Sequence, residues 1–393
     1  MAAPVVELPN YERTLEQAFQ LHTHARLHTV EPEQGLVITV LRPNDTLVNY
    51  QGTVHGGALA MLNDVFTKFA IDTKTAAGNT SVDLSTSYLA PARGDKMLEM
   101  HATCDRFGRR LAFCRIEFWE LEDDADGPFP AAGTELRRVK LVCTGRHVKA
   151  MTSDAELVMQ TPDVVVNQPP YPEVYPWSAR ATPLAEAASA DIPPREALFR
   201  AWSHETLCEK GAPTTMGLDT DLRLHSADLS EGRLTFILIA SAATCSEEED
   251  RATQHVRAGA LAVAADVTTS HAIASVASFD TTSIDLGMTF LAPGRSTHLI
   301  AFDATCDRHG RRVSLCLLLP LFPTSKLKWV CGQVAFTRLE IWQLSTPVEA
   351  GFPPYGAEIE RTKLLGQARH VKAFTSEEHI GRSGSVVIPE AAL

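Results

Sequence analysis

A glycine-containing turn followed by an apolar helical pattern is the stretch of this sequence whose residue types best suit chemistry. It covers residues 49–71, where His55, Gly56 and Gly57 precede apolar residues at helical spacing and Asp64 interrupts them. The N–H groups at a buried helix start lack partners within the helix and suit an anion. A carboxylate among apolar residues is costly unless it is paired or used. The pattern predicts either a catalytic site or a tight turn beside a structural carboxylate.

Three further segments follow this stretch in a characteristic order. Residues 81–92 read SVDLSTSYLAPA, residues 108–113 begin Gly-Arg-Arg, and residues 145–149 read GRHVK. Together with the asparagine at position 49, they resemble the hotdog-fold acyl-CoA thioesterases, specifically their small phenylacetate-pathway-like branch. The resemblance covers residues 49–149. It implies a curved antiparallel sheet around a central helix, and hydrolysis of acyl-CoA thioesters to free acid and CoA.

The second half of the chain repeats the first. Residues 258–273 align with residues 56–71 without a gap, and residues 368–372 align with residues 145–149. The periodicity of apolar residues predicts an α+β protein. Helical patterns cover residues 11–22, 56–71 and 195–207, and strand patterns cover residues 35–41, 81–89, 96–104, 110–121 and 137–149. The resemblance names each half a hotdog unit, so the chain is predicted to contain two in tandem.

The predicted boundaries follow from composition. The first unit is expected at residues 1–155 and the second at residues 195–393, joined by a proline-rich linker at residues 156–194. Proline at such density suits an extended linker rather than a helix or an inner strand.

One segment of the second unit, residues 314–334, has no counterpart in the first. Removing it restores the repeat with no residue left over. It is apolar and contains proline, so we expect it to interrupt a strand at mid-length. Two interpretations stay open, a functional lid and a retained intron in the gene model. The poor strand chemistry and the exposure of an apolar run favour the retained intron.

Charge and composition narrow the classes of partner. The net charge of −12 argues against nucleic acid as the main partner. No apolar run reaches the length of a membrane span, and the first residues show no signal or transit pattern. Eight cysteines without dense spacing suggest reduced thiols, so we expect an intracellular protein, cytoplasmic or mitochondrial. No metal-ligand spacing occurs, and no cofactor is expected.

Thioester hydrolysis needs a group that stabilises the oxyanion and a group that activates water or attacks the carbonyl. Gly56 and Asp64 would lie about 12 Å apart on one helix, at about 1.5 Å per residue, so they cannot easily serve one carbonyl. The resemblance implies that two units pair, and that the helix start of one faces the carboxylate of the other. Here this pairing is expected within one chain, as an internal pseudo-dimer. Further association into a homo-oligomer is left open.

The two copies differ where this pairing matters. The first has Asn49, His55 and Gly56, whereas the second has Arg257 and Ala258 in the places of the last two. Both copies keep an aspartate, a threonine and a strand serine. Crossed pairing predicts one complete site, formed by Asn49, His55 and Gly56 with Asp266, Thr269 and Ser283. The reverse combination is predicted to be a degenerate second site, formed by Asp64, Thr67, Ser81, Arg257 and Ala258.

The resemblance also implies a role for each group. The Gly56 N–H would hold the thioester oxygen, while Asn49 and His55 would shape the turn. Asp266, with a pKa raised by desolvation, would act as general base or nucleophile, and Ser283 would orient the water. A repeat relic or a paired structural carboxylate is the alternative for Asp266. Weak candidates for CoA phosphates, against a solvated basic edge, are Arg109, Arg110, Arg146 and Lys149.

Two other functions stay open beside the acyl-CoA thioesterase. A hotdog hydratase or dehydratase would use a histidine and an aspartate across paired units, as His55 and Asp266 could. A non-catalytic acyl-CoA-binding protein is consistent with the decay of one site. A saturated acyl-CoA separates these functions, because only a thioesterase releases free CoA from it.

Overall fold

The computed structural model describes the two predicted units but not most of the segment between them. The described residues are Leu8, 21–49, 51–75, 77–151, 194–207, 218–241, 244–245, 254–276, 281–315 and 330–374. The predicted linker apart from Pro194, most of the predicted helix at residues 11–22, and residues 316–329 lie outside them. Within the described residues, no helix is long and apolar enough to cross a membrane.

Two buried helices lie at the centre, one in each unit. Helix α1 spans Gly56–Asp72, and helix α3 spans Ala258–Ala274. Both are apolar on nearly every side, because each packs on its own sheet and against the other helix. Glycines allow this close approach. A Cβ atom on Gly57 would lie 3.0 Å from the Val263 Cα, and one on Gly259 would lie 2.8 Å from the Met61 Cγ. Helix α2, Pro194–Leu207, confirms the helix predicted at residues 195–207.

Twelve antiparallel strands form one sheet around these helices. The first unit contributes β1 Ala25–Glu31, β2 Leu36–Leu41, β3 Asn79–Tyr88, β4 Lys96–Phe107, β5 Leu111–Asp124 and β6 Arg138–Met151. The second contributes β7 Leu222–Asp228, β8 Arg233–Leu238, β9 Thr281–Phe290, β10 His298–Leu315, β11 Val330–Pro347 and β12 Arg361–Phe374. Their order is β1-β2-β4-β5-β6-β3-β9-β12-β11-β10-β8-β7. The predicted α+β fold of two tandem hotdog units is confirmed.

The two units join through β3 and β9, which pair antiparallel about a local pseudo-two-fold axis. Ser85 pairs with Gly287, its counterpart in the repeat. The Ser87 hydroxyl donates to Asp285 over 2.7 Å. This junction and the contact between α1 and α3 place the start of each helix beside the other unit's carboxylate.

The unmatched segment at residues 314–334 does not begin or end as a break in the sheet. In the first unit β4 and β5 are joined by a tight turn at residues 108–110. In the second unit the ladder continues past the corresponding point, with Val313 opposite Gly332 and Leu315 opposite Val330. Backbone pairing at both ends of the segment therefore extends the hairpin, and Val313 and Ala335, the counterparts of the neighbours Leu111 and Ala112, lie on different strands.

Candidate active site

The turn before α1 is built around an asparagine side chain. The Asn49 Oδ1 atom accepts hydrogen bonds from the backbone N–H of Gln51 at 3.0 Å and of Thr53 at 3.2 Å. It also accepts from the Thr53 hydroxyl at 3.2 Å. The His55 N–H donates to the Leu47 carbonyl at 2.8 Å, which fixes the end of the turn. Asn49 thus shapes the approach to the helix through its carbonyl oxygen.

The start of α1 binds a carboxylate of the second unit. The Gly57 N–H donates to the Asp266 Oδ2 atom over 2.7 Å, and the His55 Nδ1 atom lies 3.2 Å from the same oxygen. The Gly57 nitrogen is also 3.1 Å from His55 Nδ1. Since Gly57 has one hydrogen and its shorter contact is to the carboxylate, we assign the tautomer in which His55 Nδ1–H also donates to Asp266.

The other oxygen of this carboxylate faces side chains of the second unit's own strands. Asp266 Oδ1 lies 2.9 Å from the Lys372 Nζ atom, 3.3 Å from the Ser283 Oγ atom and 3.4 Å from the His370 Nε2 atom. The Asp266 side chain is 2% exposed. The Gly57 N–H, the His55 Nδ1–H and the Lys372 ammonium group donate to this carboxylate and hold it in one orientation.

The expected rise in the pKa of Asp266 is wrong. Burial, the largest single effect, would raise the pKa of this carboxyl, but the nearby groups together outweigh it, led by the charge of Lys372 and followed by His55, His370 and the Lys372 hydrogen bond. The result is a pKa well below the usual range. Asp266 is therefore ionised throughout the physiological range because of an ion pair, and not poised near neutrality by desolvation.

A second layer of side chains orients Ser283. The His370 Nε2 atom lies 3.1 Å from Ser283 Oγ, and its Nδ1 atom lies 2.7 Å from the Thr269 Oγ1 atom. Thr269 in turn donates to the Ala265 carbonyl at 2.6 Å. Because the Thr269 hydroxyl hydrogen is donated to Ala265, the Nδ1–H of His370 donates to Thr269. The Nε2 atom of the neutral ring then accepts from the Ser283 hydroxyl. Thr269 therefore lies behind the imidazole and positions that ring.

The pseudo-symmetric counterpart of this arrangement surrounds Asp64. Its Oδ1 atom lies 2.8 Å from Lys149 Nζ and 3.1 Å from Ser81 Oγ, and its Oδ2 atom accepts the Gly259 N–H at 3.0 Å. Thr67 contacts the His147 ring at 2.7 Å, as Thr269 contacts His370. What differs is the helix start. Arg257 occupies the N-cap without a side-chain capping bond, and Ala258 follows it.

The cations proposed for CoA phosphates lie in three different settings. Lys149 is buried and paired with Asp64, so it does not belong to a solvated basic edge, and its charge is directed to Asp64 rather than to a phosphate. Arg146 is exposed and lies on the opposite face of β6, because alternate residues of a strand face opposite sides. Arg109 and Arg110 are exposed in the turn between β4 and β5. The four do not form one cluster.

Three residues of the site are not among those predicted from the sequence. His370 and Lys372 are two positions apart on β12, so both point to the face that carries α3. The same His-x-Lys spacing occurs in the first copy, at His147 and Lys149, and this repetition is the sequence signal that could have indicated them. The third is Tyr88, whose hydroxyl donates to the Gly56 carbonyl at 2.8 Å.

No metal site accompanies this arrangement within the described part of the chain, which contains no suitable group of histidine, cysteine, aspartate or glutamate side chains. The chemistry available here is that of an ionised carboxylate, an oriented hydroxyl and the N–H groups of a helix start.

Comparison with known proteins gives a family match in the first unit and several sequence relatives. Residues 51–125 match the model of the thioesterase superfamily. Human acyl-coenzyme A thioesterase 13 is 28% identical over 141 residues, covering 36% of this chain and 84% of its own. A Caenorhabditis elegans protein named as an esterase is 39% identical over 108 residues, which is 27% of this chain. The chain spans 62% of that relative's length.

Two solved structures align with more than nine-tenths of the chain, at TM-scores below 0.5. The tesB protein of Mycobacterium avium has a TM-score of 0.45 and 14% identity, covering 94% of this chain and 100% of its own. The acyl-CoA thioesterase II TesB2 of Mycobacterium marinum has a TM-score of 0.44 and 11% identity, covering 93% of this chain and 99% of its own.

Proposed function

We propose that this chain, whose residues 51–125 match the thioesterase superfamily, hydrolyses acyl-CoA thioesters to free acid and CoA. We further propose that one site, formed between the two units, performs the reaction. The observation that carries the proposal is the Asp266 carboxylate of the second unit, bound by Gly57 and His55 at the helix start of the first. With this arrangement, a carboxylate and a backbone that can bind an oxyanion lie close enough to act on one thioester carbonyl group.

The proposed place of the thioester oxygen is the N–H of Gly56, the first residue of α1. Among the described residues, no protein atom accepts this N–H, whereas the next one, of Gly57, is taken by Asp266. The N–H and the partial positive charge of the helix start would stabilise the oxyanion as the carbonyl is attacked. A Cβ atom at Gly56 would lie 2.8 Å from Ser283 Oγ, so glycine keeps this approach open.

Asp266 would act in its ionised form by either of two routes. In the first, a carboxylate oxygen attacks the thioester carbon, the C–S bond breaks and CoA leaves as a thiolate, and water then hydrolyses the anhydride and restores the carboxylate. In the second, the carboxylate takes a proton from the attacking water, the C–S bond breaks, and that proton passes to the CoA thiolate. Ser283 lies 3.3 Å from the carboxylate and donates to His370, so its oxygen remains available to accept a hydrogen bond from that water. Neutral imidazoles suit this arrangement, because burial lowers the pKa of His55 and lowers that of His370 to about 3.

The pseudo-symmetric site is proposed to be inactive. It keeps the ionised Asp64, since Lys149 lowers that pKa against the effect of burial. Its helix start carries a methyl group at Ala258, in the place of the Gly56 hydrogen, and an arginine in the place of His55. Phe290 replaces Tyr88, so this helix start also lacks the tyrosine hydroxyl.

Release of free CoA tests the function directly. The purified full chain is incubated with saturated acyl-CoA thioesters of several lengths, and the free thiol is measured. We expect catalytic release from at least one of them. Binding without release would support the non-catalytic alternative. Hydration of an unsaturated acyl-CoA without thiol release would support the hydratase. An intracellular location, cytoplasmic or mitochondrial, is inferred from the proposed substrate.

A further inference from the structure

A buried lysine of the second unit lies against the proposed catalytic carboxylate. The Lys372 Nζ atom is 2.9 Å from Asp266 Oδ1, and the lysine side chain is 7% exposed. An ammonium group removed from water is costly unless it is paired. The first unit has the same pair, with Lys149 Nζ 2.8 Å from Asp64 Oδ1. Neither lysine takes part in the two proposed routes of hydrolysis.

Resting on the proposed function, we propose that Lys372 is a positioning residue that holds the active site in the one protonation state the reaction uses. In that state Asp266 is ionised and both neighbouring imidazoles are neutral. Lys372 touches the carboxylate and not the substrate, so it acts on the reaction through Asp266.

The charges around the carboxylate support this assignment. The titratable and charged groups that face Asp266 are His55 from the start of α1, Tyr88 from β3, and His370 and Lys372 from β12. Lys372 is the permanent cation among these described groups, since the phenol is neutral and burial disfavours the charged imidazoles. Without it, the buried carboxylate would face neutral groups alone, and burial would favour its protonated form.

The same ammonium acts on three neighbouring groups in one direction. It lowers the pKa of Asp266, of His55 and of His370. Its loss would therefore allow the cluster to bind a proton at a higher pH, on the carboxylate or on an imidazole. In either case the reactive form is lost, because a protonated His55 would bind and neutralise Asp266 at their 3.2 Å separation.

The dependence of CoA release on pH tests this inference. Lys372→Gln removes the charge and keeps a polar side chain, and Lys372→Met serves if the glutamine disturbs folding. In the unaltered protein we expect no acid limb due to Asp266 from about pH 4 to about pH 9. In the variant we expect an acid limb, with the rate falling about tenfold per pH unit below the new pKa and recovering at alkaline pH.

Two matched variants separate a charge effect from a packing effect. Lys372→Arg restores the cation and should restore the flat profile. Lys149→Gln makes the same change beside Asp64 and should leave the profile unaltered. A Lys372→Gln profile parallel to that of the unaltered protein, whether lower at every pH or unchanged, would overturn the inference.

Infrared spectroscopy gives a readout that does not depend on turnover or on a lysine variant. The difference spectrum between the unaltered protein and Asp266→Asn should show an ionised Asp266 down to about pH 4, since its ion pair holds the pKa below the usual range. A protonated Asp266 band at pH 5 would overturn the inference. If the unaltered protein releases no CoA, the proposed function fails, whereas an altered pH profile tests Lys372 alone.

Discussion

A single methyl group at the start of α1 should reproduce the defect of the second site. Gly56→Ala introduces the residue found at Ala258, and its Cβ atom would lie 2.8 Å from Ser283 Oγ and 3.3 Å from Asp266 Oδ2. Gly56 has no positive φ, so the alanine meets no backbone strain. The contact must instead be relieved by displacing Ser283, whose hydroxyl lies 3.1 Å from His370 Nε2.

The expected loss follows from the hydrogen bond that this displacement breaks. A hydrogen bond between neutral groups contributes about 0.5–1.5 kcal/mol. If the Ser283 bond to the attacking water is lost in the transition state, kcat should fall roughly twofold to tenfold, since about 1.4 kcal/mol is a factor of ten. The assay is steady-state CoA release, with circular dichroism to verify folding.

A double-mutant cycle shows whether the methyl group acts through the serine. Ser283→Ala alone should cause a similar loss, and adding Gly56→Ala to it should cost little more, because both remove one interaction. Ala258→Gly is the matched control at the other helix start and should leave CoA release unchanged. Full activity in Gly56→Ala, or losses that multiply in the double variant, would refute this reasoning.

Two other predictions concern the support of the site and its response to acid. Tyr88→Phe introduces the residue found at Phe290 and removes the hydrogen bond to the Gly56 carbonyl, at one end of the peptide whose N–H holds Asp266. A neutral hydrogen bond contributes about 1 kcal/mol, so kcat should fall about threefold to tenfold with little change in KM. Unchanged kcat in a folded variant would contradict this. The second prediction is that the free energy of unfolding falls as pH decreases from about 6.5 to about 3. Burial lowers the pKa of His147 and His370 to about 3 in the folded protein, whereas the same histidines bind protons at their ordinary pKa in the unfolded chain. Each ring should contribute about 1.4 kcal/mol per pH unit to this change. Urea titrations of His370→Gln at several pH values should therefore show a weaker pH dependence of the free energy of unfolding, and an unchanged dependence would contradict the prediction.

The sequence predicts the central elements because their patterns are strong. Helix α1 and the strands β3 to β6 follow from clear helical or alternating periodicity, and their ends differ from the predictions by at most a few residues. Strand β1, Ala25–Glu31, was missed because its polar and charged residues obscure the alternation at the edge of the sheet. Strand β10 continues into the unmatched segment because backbone pairing with β11 extends the ladder beyond the repeat.

The residues of the helix start were predictable from two signals. His55 and Gly56 stand at the start of an apolar helical pattern, and Arg257 and Ala258 replace them in the second copy. Lys372 was missed because a lysine in a strand among other basic residues is usually exposed to solvent. The lowered pKa of Asp266 was unpredictable because it depends on this lysine, which is 106 positions further along the chain and comes beside Asp266 only through the fold.

The rates of CoA release by Asp266→Asn and Asp64→Asn test the central claim most directly. Each amide keeps the carboxylate's shape and leaves one buried lysine unpaired, a cost of about 3–5 kcal/mol, so each variant controls for the other's loss of stability. Once both are shown to be folded, Asp266→Asn should lose roughly 10²- to 10⁴-fold in kcat, the range for removal of a catalytic acid–base group. Asp64→Asn should keep most of the activity, because its carboxylate faces the altered helix start at Ala258. An active Asp266→Asn with an inactive Asp64→Asn would contradict the crossed site.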